Sequence, residues 1–154
     1  MGISEEKIQH IIHQFNHQTL PKEKWTHQAH IIVAFWYAQQ FSEEKALAKL
    51  TDAIKNYNIS VGTENTDTSG YHETLTVFWL KLVKEYLEYK KDATIEDAIN
   101  TFLLLITSGT GFPLIFYSGE VLFSKEARHH WVTPNKLPLC NFKNFFEIKI
   151  GTEK

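Results

Sequence analysis

The segment Ile31-Ile32-Val33-Ala34-Phe35-Trp36-Tyr37-Ala38 contains no charged side chain and no amide. On a helix turning about 100° per residue, its side chains point in most directions and leave no face for water. Such a helix belongs at the centre of a domain. A central helix from about Thr26 to Gln40 therefore needs other elements packed around it.

The flanking sequence supplies them. Ser4 can cap a first helix running to about His17, with Glu5 and Glu6 placed to complement the helix dipole. Leu20-Pro21 ends that segment. Ser42 caps a third helix to about Asn58, where Leu47, Leu50 and Ile54 recur at helical spacing. Residues 59–69, rich in Gly, Thr, Asn and Asp, read as a loop. A fourth helix covers about Gly70 to Tyr89. Thr94-Ile95-Glu96-Asp97 resembles a capping box and opens a fifth helix through about Thr107, broken by Ser108-Gly109-Thr110-Gly111. Pro113 fits the first position of a short helix, and Ser124 opens another. The apolar stretch from Phe142 to Ile150 is expected to lie extended across the bundle, with room for one short strand. The expected fold is all-α: a compact bundle of about five main helices, its core made by helices two, four and five, with an extended C-terminal tail packed across it. Residues 1–154 form a single helical domain, with no internal repeat or linker.

Composition narrows the functional classes. A chain of 154 residues can bury roughly 70% of its unfolded surface. With 43% hydrophobic and 14% aromatic residues, the core is aromatic-rich and disorder is not expected. A net charge of -2 lacks the basic excess that nucleic acid or an anionic membrane calls for. A single cysteine, Cys140, makes no intrachain disulfide or multi-cysteine zinc site. No leader pattern opens the sequence, and no apolar run approaches the ~20 residues of a membrane span, so a cytoplasmic protein is the expectation.

The chemistry rests on the eight histidines. On the first helix His10, His13 and His17 lie opposite Ile8, Ile11, Ile12 and Phe15, which makes them a solvated face. His129 and His130 adjoin Arg128 in a polar segment and read the same way. The fourth helix gives the reverse result. Leu75, Trp79, Leu82, Val83 and Tyr86 define its apolar face, and His72 falls near the middle of it. Glu73 sits at the border, beside Val77 and Leu80. On the second helix His27 and His30 are one turn apart, on the side of Ala34 and Ala38, where small residues admit a neighbour.

Two site hypotheses follow. If the starts of helices two and four meet, His27, His30 and His72 can bind one divalent metal, with Glu73 as ligand or base and His72 or Glu73 as the catalytic group. Imidazole suits zinc, nickel, copper and iron alike. The spacing is not His-Glu-x-x-His, because residue 76 is Thr76. The alternative needs no metal. Trp25, Trp36, Tyr71, Trp79, Phe112 and Tyr117, with Thr76 one turn beyond His72, line an apolar pocket for a small molecule in which His72 and His30 are the few polar groups. There His72 can act as a general base if a carboxylate from another element orients it. The plainer alternatives are an aromatic core with His72 and His30 as satisfied core histidines, and an interaction module forming a homodimer through its aromatic surface. No phosphate loop or nucleophile elbow is present, and nothing near Cys140 would lower its pKa.

Trp25-Thr26-His27-x-x-His30, Gly70-Tyr71-His72-Glu73-Thr74, and the stretch from Tyr117-Ser118 through Leu122-Phe123-Ser124 and Ala127-Arg128 to Trp131-Val132 resemble a pattern seen in small uncharacterised bacterial proteins. The resemblance spans about residues 25 to 139. It implies a compact helical protein with a histidine-bearing site and no named activity.

Overall fold

In the computed structural model, which describes residues 2–106, 109–139 and 146, the helices are α1 (Glu5–Asn16), α2 (His27–Gln40), α3 (Glu43–Ser60), α4 (Glu73–Tyr89), α5 (Ile95–Leu105), α6 (Gly119–Leu122) and α7 (Lys125–His129). Tight 3-10 turns occupy Lys22–Lys24 and Gly109–Ile115. Among the described residues there is no strand. Nor is any helix of the described residues long and apolar enough to cross a membrane.

Each helix starts where a side chain can close its first turn. Ser4, Thr26, Ser42 and Thr94 accept a hydrogen bond from the backbone N–H three residues ahead, that of Lys7, Ala29, Lys45 and Asp97. Ser118 and Ser124 do the same for α6 and α7. These bonds satisfy donors that the helix itself cannot pair.

Helix α2 is central, packed against α1, α3, α4 and α5. Every residue from Ile31 to Ala38 except Trp36 is buried. Its Phe35 meets the edges of Tyr86 from α4 and Phe102 from α5, at 6.4 and 5.2 Å between ring centres. A second aromatic group gathers Phe78 of α4 with Phe116 and Tyr117 from the chain after the Gly109–Ile115 turn. Polar bonds fasten the connecting segments. Tyr57 donates to the Leu20 carbonyl at 2.8 Å. Asn100 of α5 accepts from Ile3 N and donates to Ile3 O, pinning the chain before α1. Thr74, wholly buried, donates to His130 O at 2.7 Å and accepts from Val132 N at 3.1 Å. That pair lays the irregular chain after α7 against the start of α4.

The fourth helix begins later than the periodicity suggests, at Glu73 rather than near Gly70. Gly70 has φ 78°, and a Cβ there would stand 2.5 Å from Glu64 O. It forms the turn out of the loop, and His72, extended, caps the helix. Pro113 lies inside its 3-10 turn rather than at the first position. The expected end of α5 at Thr107, Cys140 and most of the expected tail lie outside the described residues. Phe146 is described, and it is buried against Tyr86 and Tyr89, at 5.0 and 5.8 Å between ring centres.

Candidate functional site

A cavity of about 480 Å³ lies between α2, α3, the loop after α3 and the first turns of α4. Helix α2 contributes His27, His30, Ile31 and Ala34. Helix α3 contributes Leu50, Ile54 and Asn58, and α4 contributes Leu75, Thr76 and Trp79. Trp25 stands just before α2, while Val61, Thr63, Tyr71 and His72 come from the loop between α3 and α4. Gly70, Lys22 and Pro113 complete the lining. The small side chain of Ala34 leaves room on the α2 side.

The three histidines share this cavity but differ in what their nitrogens can do. His30 stacks on Trp25 at 3.7 Å between ring centres, and Trp25 stacks in turn on Phe15 at 4.7 Å. The His30 Nδ1 lies 2.7 Å from Thr26 O. A carbonyl only accepts, so Nδ1 carries the proton and Nε2 keeps a bare lone pair. Burial pushes the His30 pKa down to about 4, with the Thr26 bond opposing and nearby His27 adding to the shift. His30 is therefore a neutral acceptor at pH 7.

His27 is the first residue of α2 and meets Trp79 edge-on at 5.1 Å. Burial lowers its pKa as well. Its Nε2 is buried, and no described group hydrogen-bonds it.

His72 does point inward, as the periodicity predicts, and is 8% exposed. It does so as the cap of α4. Nδ1 accepts from Leu75 N at 3.1 Å, so Nε2 carries the proton and donates to Leu122 O at 2.8 Å. Burial lowers its pKa, the Leu122 bond opposes, and the Arg128 charge adds to the lowering. Both nitrogens are occupied, so the neutral ring offers no lone pair to a metal or a substrate proton. Its partners are those of a satisfied core histidine.

Glu73 faces elsewhere. Its carboxylate accepts from the Tyr71 hydroxyl at 2.5 Å and lines a separate hollow of about 180 Å³ with Thr51, Lys55 and Arg128. Thr51 bonds the same hydroxyl at 2.8 Å. Burial, with Glu73 beside it, raises the Tyr71 pKa. Among the described residues, no group of three or more His, Cys, Asp or Glu side chains is gathered so as to hold a metal ion.

Of the expected pocket residues, Trp25, Tyr71, Thr76 and Trp79 line the cavity. Tyr117 does not. It is fully buried, and its hydroxyl donates to Val132 O at 2.6 Å, so it pins the chain after α7 from within the core. Trp36 packs with Tyr37 and Phe41, and Phe112 supports Trp79 by stacking on it at 5.8 Å. His10, His13 and His17 are exposed, as their helix face predicts, and so are His129 and His130 of the polar segment beside Arg128. His129 contacts Asp67 at 2.6 Å.

Among the lining residues that the sequence reading missed, Asn58 is a buried polar one. It is 5% exposed and donates to Asn65 Oδ1 at 2.9 Å, which also accepts from Tyr71 N at 2.9 Å. This pair joins the end of α3 to the chain entering α4. The available signal was an amide four residues beyond Ile54, on the same helix face. Comparison with protein-family models, with curated proteins and with solved structures finds no match to this chain.

Proposed function

We propose that the protein binds a small, mostly apolar molecule between α2, α3 and α4. The observation that carries this reading is the cavity itself. Its volume of about 480 Å³ falls in the range of roughly 300–1,000 Å³ common for small-molecule sites. Its wall is mostly apolar and aromatic, with a smaller set of polar groups that includes the imidazoles of His27, His30 and His72, which is the composition such sites use. The test is titration with N-phenyl-1-naphthylamine, a neutral apolar dye that brightens on leaving water. Saturable one-to-one enhancement is expected in the parent. It should be lost in Ala34→Leu, which fills the α2 side, with helix content unchanged by circular dichroism. No enhancement in the parent, or equal enhancement in both, overturns the reading.

A divalent metal is the second reading. What favours it is the pair formed by His27 and His30, one turn apart, both with lowered pKa, His27 Nε2 having no described partner and His30 bonding Thr26 O through Nδ1, which leaves the Nε2 lone pair. The protein would supply two ligands, and water or a bound molecule the rest. Elemental analysis of tag-free protein, purified without chelators, beside His27→Gln decides it. Near-stoichiometric metal lost in the variant supports the metal. No metal after incubation with zinc, nickel and iron removes it.

A further inference from the structure

The polar groups inside the cavity define which molecule would fit it, given the reading that a small molecule binds there. The described cavity wall holds no carboxylate, and its one cationic side chain, Lys22, is exposed. A buried carboxylate on the ligand would lose its hydration and gain only a solvated ammonium in return. A buried cation would find no anion. The aromatic rings that could replace one already have partners: Trp25 is stacked between Phe15 and His30, Trp79 stacks one face on Phe112, and the Lys55 ammonium stands 5.1 Å over the Tyr71 ring.

Within this apolar wall the tautomer of His30 is fixed by its bond to Thr26 O, which leaves this lining residue with a lone pair rather than an N–H on Nε2. His27 Nε2 is a buried polar atom that no described group satisfies. An apolar ligand without a polar hydrogen would cover the His30 lone pair and leave it unmatched, the costly case for a polar group taken out of water. We infer that the ligand is an uncharged molecule carrying one hydrogen-bond donor on an apolar frame, such as a phenol, an alcohol or an N–H heterocycle, and that its donor meets Nε2 of His30. A hydroxyl suits the site best, because it donates to His30 and keeps lone pairs available to a His27 N–H.

Calorimetric titration at pH 7 with three matched probes tests this. They are 2-naphthol, 2-methoxynaphthalene and 2-naphthoate. The expected result is 2-naphthol binding about tenfold more tightly than its methyl ether, with naphthoate no better than the ether. In His30→Phe, which keeps a ring to stack on Trp25, naphthol and ether should bind alike. Equal affinity for naphthol and ether in the parent overturns the donor inference and leaves the cavity reading standing. Tightest binding of naphthoate does the same and assigns the ligand as an acid recognised by Lys22. A naphthol preference that persists in His30→Phe takes the donor away from His30 and overturns the assignment. Failure of all three probes at millimolar concentration overturns the cavity reading and this inference with it.

Discussion

His30 and His72 show how one residue type is put to two uses within a single cavity wall. For His72 both ring nitrogens are spent on the backbone, one on Leu75 N and one on Leu122 O. Removing it in His72→Ala should lose a helix cap and leave the Leu122 carbonyl short of its donor, a cost of about 2–3 kcal/mol in urea unfolding. His72→Asn, which can still cap, should recover part of that. A catalytic or ligand-binding role would instead show as lost dye binding in a variant of parental stability. His30 makes a different prediction. Its folded pKa is about 4, against about 6.5 for an unfolded chain. Between these values the unfolded chain holds a proton that the folded one lacks. Stability therefore falls as pH drops from 6.5 toward 4. Burial shifts His27 and His72 in the same direction. The other titratable groups lining the cavity are Lys22 and Tyr71. Stability should drop by on the order of 2 kcal/mol from His30 over that interval. Urea unfolding at pH 7 and pH 4.5 checks it: His30→Phe should show a flatter dependence than the parent, and parallel curves would remove His30 as the cause.

At the scale of elements, the entry into α4 is the most constrained joint. Gly70→Ala would place a Cβ 2.5 Å from Glu64 O, at a φ of 78°, and should cost more than about 1 kcal/mol in urea unfolding. Thr74→Val keeps the shape of the side chain while leaving His130 O and Val132 N without their partner. It should destabilise by about 1–3 kcal/mol, and hydrogen exchange should quicken in residues 130–132 before the helices open. Helices were legible because their signals are local. Ser4, Ser42, Thr94 and Ser124 each find their partner three residues away, and the inward direction of His72 follows from the spacing of Leu75, Trp79 and Leu82. What His72 bonds to was not legible, since Leu122 lies 50 residues on and imidazole is not among the preferred caps. Asn58 entered the wall only because the end of α3 approaches the chain before α4. Tyr117 was misread because aromatic character alone does not separate the lining of a cavity from the core behind it. Glu73 was expected beside the histidines as ligand or base, yet its position in the first turn of α4 turns it to Tyr71 and the other hollow.

At the scale of the whole molecule, the cavity has no wall of its own before the chain folds. Its lining comes from residues 22 to 34, 50 to 63, 70 to 79 and 113, so α2, α3 and α4 must all be docked before the site exists. Whatever occupies it can therefore bind the native state and has little to hold in the unfolded one. Occupancy then acts on the folding equilibrium through mass action: a ligand at a hundred times its Kd adds about 2.7 kcal/mol. For a chain of this length that raises Tm by roughly 5–10 °C. With the proposed ligand bound there, the protein's abundance in a cell would follow the supply of that molecule, since the empty form is the one that opens more often to proteases.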